Sequence, residues 1–388
     1  MPEPHALGTI GYRRLTLAML FAGFATFSTL YSVQPLLPLL AERFALRAEG
    51  ASLAVSMATG PLAVGILVAG AMSDRVGRRP LMVAAMLAAG VLTIAAALAP
   101  GWHALLALRL LAGLALAGVP AVAMAYVAEE VDAGAVGSAM GLYIAGSALG
   151  GMGGRLIAGL VADVAGWRWA LVAVGVAGLA MAEAFRRLAP PSRRFTPSGG
   201  GWLDTVRDAG PLFRDPGLRL LYAEAFLLMG VFVSIYNYAG FHLMATPYGL
   251  GQAAVGAVFL LYILGSASSA WFGGLAGRLG RRRVFWVPTV ILIAGVAMSG
   301  AAPLWLVIAG IGVVTIGFFG AHRSPAPGWD GVAGHGAGRP RPGICSATIS
   351  GRVCSDRRGG LRGRGGTGPA CCGSALRLAA WRCSAGCC

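Results

Sequence analysis

The sequence predicts an all-α membrane protein of two pseudo-symmetric six-helix halves, with the last two helices lost. Three observations predict it. Long apolar runs recur along most of the chain: 57% of the residues are hydrophobic and 12% charged, with a mean hydropathy of +0.72, more apolar than a soluble fold needs. A basic, glycine-bearing loop at residues 70–81 recurs at 273–282, an offset of 203 residues, about half the chain. Arginines gather in alternate connections between the runs, as charge does on the cytoplasmic face of a membrane protein.

A helix needs roughly 20 mostly apolar residues to cross the hydrocarbon core. On that criterion ten spans are expected, at 15–40, 50–72, 81–99, 103–127, 135–162, 167–185, 218–245, 252–276, 284–301 and 303–321. Backbone groups in lipid pair within their own segment, which makes helices the reading for each. The first run follows Arg13 and Arg14 as a signal peptide would. It is too long for a signal's apolar core, and no small-residue cleavage site closes it. Arg75, Arg78 and Arg79 follow the second span; Arg186, Arg187, Arg193 and Arg194 the sixth; Arg278, Arg281, Arg282 and Arg283 the eighth. The N-terminus and the even-numbered loops are therefore expected in the cytoplasm, with Arg43 and Arg47 as exceptions. The expected divisions are residues 1–186, an N-terminal half; 187–216, a cytoplasmic linker; 217–322, an incomplete C-terminal half; and 323–388, a tail. Within the linker, residues 202–213 are amphipathic and suited to lie along the membrane surface.

The loop Gly70-Ala71-Met72-Ser73-Asp74-Arg75-Val76-Gly77-Arg78-Arg79 resembles the signature of the major facilitator superfamily. That pattern is Gly, two residues, a small residue, Asp, Arg, any residue, Gly, Arg, then Arg or Lys. The second copy, Gly273 to Arg282, carries Gly277 where the family often has an acid. The resemblance covers residues 10–322. It implies a secondary transporter of small molecules working by alternating access, commonly coupled to protons. It also implies a conformational latch in Gly70, Asp74, Arg75, Gly77, Arg78, Arg79, Gly273, Arg278, Gly280 and Arg281. In such a latch the acid faces a helix of the other half and pairs with arginine.

Charge inside a membrane is costly, so embedded charges are functional candidates. Arg109 opens a run of spaced small residues in the fourth span, similar to the family's fourth-helix pattern, where the arginine is tied to proton coupling. The alternative is a side chain near a helix end that snorkels to the interface. Arg155 follows Gly150-Gly151-Met152-Gly153-Gly154. A glycine-rich fifth helix marks exporters in related antiporters, but the usual proline is absent, and close helix packing explains the glycines equally well. Glu224 is the one acid near the seventh span and a third proton candidate. Tyr31 and Gln34 in the first span, with Tyr236 and Asn237 in the seventh, are the expected cavity contacts. Tyr238 and His242 suit an interfacial belt as well as a cavity.

The expected activity is proton-coupled export of small organic compounds by a monomer in a bacterial inner membrane. A proton-driven importer and a non-transporting product are the alternatives. No catalytic constellation or phosphate loop is legible, so no enzyme, cofactor or metal is expected, and the arginines are placed for lipid rather than nucleic acid.

The tail differs in kind. Residues 1–322 hold 21 arginines and 13 acids; residues 323–388 hold 10 arginines, 2 acids and all seven cysteines, and the chain has no lysine. The cysteines lack paired zinc spacing. Arginine–glycine runs can bind RNA, a poor fit to a membrane carrier. The reading adopted is translation out of frame. Residues 344–356 can be written in codons that, read two bases later, give Leu-Leu-Gly-Tyr-Tyr-Leu-Gly-Ser-Ser-Val-Leu-Gly. That echoes the fifth span from Tyr143 to Gly150 at nearly the offset of the loop repeat.

Overall fold

A computed structural model describes residues 3–195, 216–279, 284 and 286–322. All the elements in them are helical. They are α1 (Ile10–Tyr31), α2 (Leu37–Arg43), α3 (Ala48–Val76), α4 (Arg78–Ala97), α5 (Trp102–Leu116), α6 (Pro120–Glu130), α7 (Val136–Leu188), α8 (Pro216–Met244), α9 (Gln252–Val258), a 3₁₀ turn (Phe259–Leu261), α10 (Tyr262–Leu279), α11 (Trp286–Ser299) and α12 (Leu304–His322). The tail expectation, residues 323–388, lies outside the described residues, as do residues 196–215 with the amphipathic segment.

Eight described segments are long and apolar enough to cross a membrane. One of them, α7, is two spans in series: Gly166 at φ 81° turns the chain where the fifth and sixth spans were expected to join. The ninth, α11, has 14 residues and is shorter than the expected 284–301. Three expected spans are interrupted. The first breaks at residues 32–36, where Pro35 can offer no N–H to the ladder. The fourth breaks before Pro120, which opens α6. The eighth passes through the 3₁₀ turn.

Small residues decide how the helices meet. Along α7, Gly146, Gly150 and Gly154 face α1 at one-turn spacing. A methyl on them would lie 2.1 Å from the Leu20 carbonyl oxygen, 2.3 Å from that of Phe24 and 2.5 Å from the Ser28 Cα. These three glycines of the fifth span are thus close-packing residues, backbone against backbone. The hydroxyls of Thr16, Thr26 and Thr29 in α1 donate to carbonyls of the preceding turn, so they need no partner from another helix.

Buried side chains form separate cores in the two halves. Leu15, Met19, Met86, Tyr126 and Phe185 belong to one in the N-terminal helices, and Phe232, Tyr236, Phe259, Tyr262 and Phe318 to one in the C-terminal helices. The ends of the bundle differ. One end carries the arginine-rich loops and is called the basic end. The described bonds between the halves lie toward the other end, where Asp163 Oδ1 accepts from the Ala253 N–H at 3.2 Å and the Gln252 amide donates to the Pro35 carbonyl. There Gly159 and Gly256 also back onto one another. At the basic end α3 exposes Val64, Leu67, Val68 and Met72, and α8 exposes Phe226, Leu227 and Met229.

Candidate functional site: a polar cluster between the two halves

The site begins at the break in α1. When a helix stops, its last carbonyls lose their intrahelical donors. Here the Gln34 N–H turns back to Tyr31 instead of Leu30. Arg109 from α5 reaches this end: it donates to Thr29 O at 3.0 Å, where the Ser32 hydroxyl also donates, to Leu30 O, and to Ala54 O inside α3 at 3.1 Å. A cation at the carbonyl end of a helix is also favoured by the helix dipole. Arg109 is 1% exposed, so it does not snorkel. Its donors face main-chain carbonyls of α1 and α3, and its place is that of a clamp holding the break open.

The break presents Gln34 inward. Its Oε1 accepts from Arg155 Nε at 2.7 Å, and its Nε2 donates to Asn237 Oδ1 of α8 at 2.6 Å. Gln34 and Asn237 are 203 residues apart, the offset of the loop repeat. Corresponding positions of the two halves therefore bond to each other. Arg155 also donates from Nη1 to Gly151 O at 2.6 Å. Three rings surround its guanidinium, with centroids at 4.3 Å for Tyr31, 4.9 Å for Phe259 and 5.1 Å for Tyr262, within cation–π range. Tyr236 shares a 2.7 Å hydrogen bond with the Thr315 hydroxyl of α12 and stacks on Phe259. At about 1.5 Å per residue, Arg155 lies about 16 Å along its helix from Gly166, deep in the bilayer span.

The expected cavity residues Tyr31, Gln34, Tyr236 and Asn237 thus meet around Arg155. Arg109 sits one layer away, on the other side of the α1 break. Glu224 does not join them. It is half-buried near the start of α8, about 20 Å along that helix from Asn237. The cleft beside Gln34, Tyr236 and Phe259 has no room for a water molecule, so the cluster is closed from that side. A separate cavity of about 380 Å³ opens between α8, α11 and α12, lined by Ser234, Tyr238, His242 and Ser299.

The signature loop forms a second polar site at the basic end. Gly77, at φ 97°, turns the chain from α3 into α4. Arg78 is the hub. Its Nη1 donates to Asp74 at 2.6 Å, while Nε and Nη2 donate to Glu129 Oε1 at 3.1 and 2.9 Å. Its guanidinium also covers the Phe195 ring. Arg79 donates to the Arg186 carbonyl at 2.6 Å. Among the described bonds, Asp74 meets only its own half. Arg75 and Arg278 are exposed, Gly70 faces open space and Gly273 is half-buried; Gly280 and Arg281 lie outside the described residues.

Sequence reasoning passed over several of these groups. Glu129 could have been found, because an acid pair closing an apolar run asks for a partner among nearby arginines. Phe259, Tyr262, Gln252 and Thr315 could not, since nothing in an apolar run says which side chains turn toward the other half.

The sequence profile of the Major Facilitator Superfamily matches residues 19–338. The chain is 43% identical over 324 residues to the inner membrane transport protein YnfM of Escherichia coli, covering 84% of this chain and 78% of that one. It is 40% identical to the uncharacterized MFS-type transporter YybF of Bacillus subtilis, covering 84% and 80%. Over 159 residues, 40% of each chain, it is 31% identical to the multi-drug resistance efflux pump PmrA of Streptococcus pneumoniae. Among solved structures, a bacterial homolog of the human lysosomal transporter Spinster, inward-facing and unoccupied, superposes with a TM-score of 0.64 at 17% identity, over 81% of this chain and 74% of that one.

Proposed function

The chain belongs to the Major Facilitator Superfamily as a multi-pass membrane transporter, and on that footing we propose that it exports small organic compounds in exchange for protons. The observation that carries the reading is the bond between Gln34 and Asn237. It joins repeat-related positions of the two halves, deep in the bundle, beside a buried arginine. A carrier that alternates access needs such a site on the pseudo-symmetry axis, reachable from either face in turn. The halves touch toward one end and show apolar helix faces at the other. With the arginine-rich end assigned to the cytoplasm, the described bonds between the halves lie from the middle of the bundle toward the opposite face. The inner membrane of a bacterium is the proposed location, with the N-terminus inside. Export rather than import is supported by the partial match to an efflux pump.

Reconstitution into liposomes with an imposed proton gradient tests this. Substrate should move against the proton flow, and Gln34→Ala should slow it severalfold. Movement of substrate with the protons would establish an importer instead.

A second reading has its own support. The matched stretch leaves about a fifth of the YnfM chain uncovered, while the composition here changes after residue 322. Translation out of frame beyond that point explains both, and makes this chain a product that does not transport. Resequencing across codon 322 checks the frame, and flux restored only by the corrected gene would support it.

A further inference from the structure

Arg155 is 3% exposed, and the described ion pairs join Arg78, Arg186 and Arg187 to Asp74, Glu129 and Glu183. Among the described residues, no carboxylate meets Arg155. The side chains around it, Gln34, Tyr31, Asn237, Tyr236, Phe259 and Tyr262, are all neutral. Arg109 adds a second buried cation, but its donors are taken by three backbone carbonyls. A buried cation without a counter-charge is unfavourable, and ring faces offset only part of that.

The hydrogen bonds show where an anion would go. A guanidinium binds a carboxylate side-on through Nε and Nη2, and this chain does so at Arg78, where both atoms donate to Glu129. At Arg155 the same edge is half used. Nε donates to the Gln34 amide oxygen, and Nη2 has no hydrogen bond among the described residues. The Gln34 oxygen stands where one oxygen of a carboxylate would sit.

We propose that the transported substrate is a small organic monocarboxylate, which binds on the Nε/Nη2 edge of Arg155 when the Tyr31, Phe259 and Tyr262 rings, closed on the guanidinium here, part to admit its apolar body. The site rests on the transporter reading and names its substrate class. It also gives the bound state a mechanical consequence. A carboxylate on this edge displaces the Gln34 oxygen, and the Gln34 side chain then loosens its bond to Asn237. Occupancy thereby weakens a tie between the halves deep in the bundle.

The test uses the full chain purified in detergent, with benzoate, hexanoate and acetate as anionic probes and benzyl alcohol and benzylamine as neutral and cationic controls. Calorimetry should show benzoate or hexanoate binding, with the two controls at least about tenfold weaker. Arg155→Gln should weaken carboxylate binding roughly ten- to hundredfold, the range for a hydrogen bond to a charged group. Gln34→Glu supplies a resident carboxylate to the same edge and should abolish binding while keeping the cluster charge-paired and folded. Equal affinity for benzoate and benzyl alcohol, no binding of any of the three carboxylates, or undiminished benzoate binding in Gln34→Glu would overturn the proposal. Carboxylate binding without flux in liposomes would remove the transporter reading and leave the anion site. Flux of a neutral or cationic solute, unchanged by Gln34→Glu, would remove the anion site and leave the transporter.

Discussion

Gly146→Ala isolates the contact on which the N-terminal helices depend. The added methyl would stand 2.1 Å from the Leu20 carbonyl oxygen, whereas ordinary contact begins at 3.4 Å. The atom in the way is backbone, so no side chain can swing aside. Helices α1 and α7 would have to part by roughly 1 Å, and the neighbouring contacts at Gly150 and Gly154 would loosen with them. Overpacking of this kind costs about 1–3 kcal/mol. Helix propensity works the other way, favouring alanine over glycine by about 1 kcal/mol. The net expectation is a loss of up to about 2 kcal/mol. Gly137→Ala and Gly141→Ala are controls on the same helix, since a methyl there meets nothing within 4 Å; they should be neutral or slightly stabilising. The assay is reversible unfolding of the purified protein in mixed micelles with increasing SDS. If Gly146→Ala unfolded at the same SDS fraction as the two controls, the backbone-contact argument would be refuted.

Three more expectations follow from the two polar sites. Arg109→Met takes a donor from the Thr29, Leu30 and Ala54 carbonyls, and leaving such buried acceptors short should cost about 1–3 kcal/mol; unfolding in the same micelles measures it, and an unchanged midpoint would argue against the clamp. Asp74→Asn removes one of the two carboxylates on Arg78, and should lower flux in liposomes while membrane insertion survives; unchanged flux would count against a latch. Gly77→Ala forces a side chain into φ 97°, ψ 154°, a strain of about 1–3 kcal/mol, visible as a lower midpoint in the SDS titration.

The signature loop and the cluster differ in how far they could be read ahead. Asp74, Gly77 and Arg78 form a contiguous motif, and their spacing puts Asp74 and Arg78 one helical turn apart, so their 2.6 Å pairing is nearly local. The partner Glu129 lies 51 residues on, and its place depends on how α4 and α6 pack. The cluster was half legible. Polar residues in a membrane run mark themselves, so Gln34, Asn237 and Arg155 could each be singled out. That Gln34 bridges the other two could not, because the bridge needs the α1 break and the close approach of α7 at the same time.

What the chain determines by itself is therefore the set of one-dimensional quantities. Run length sets how many helices cross, arginine placement sets which ends share a face, and the 203-residue repeat sets the two-fold plan. These are legible because lipid imposes them one segment at a time, through backbone hydrogen bonding and the cost of moving charge. Only the folded bundle decides that Gly146, Gly150 and Gly154 serve packing, that Arg109 clamps carbonyls, and that Arg155, among the described residues, has rings rather than an acid for company. Those roles are set by which helix face meets which, and between apolar helices in lipid that choice rests on close contacts between residues far apart in the chain.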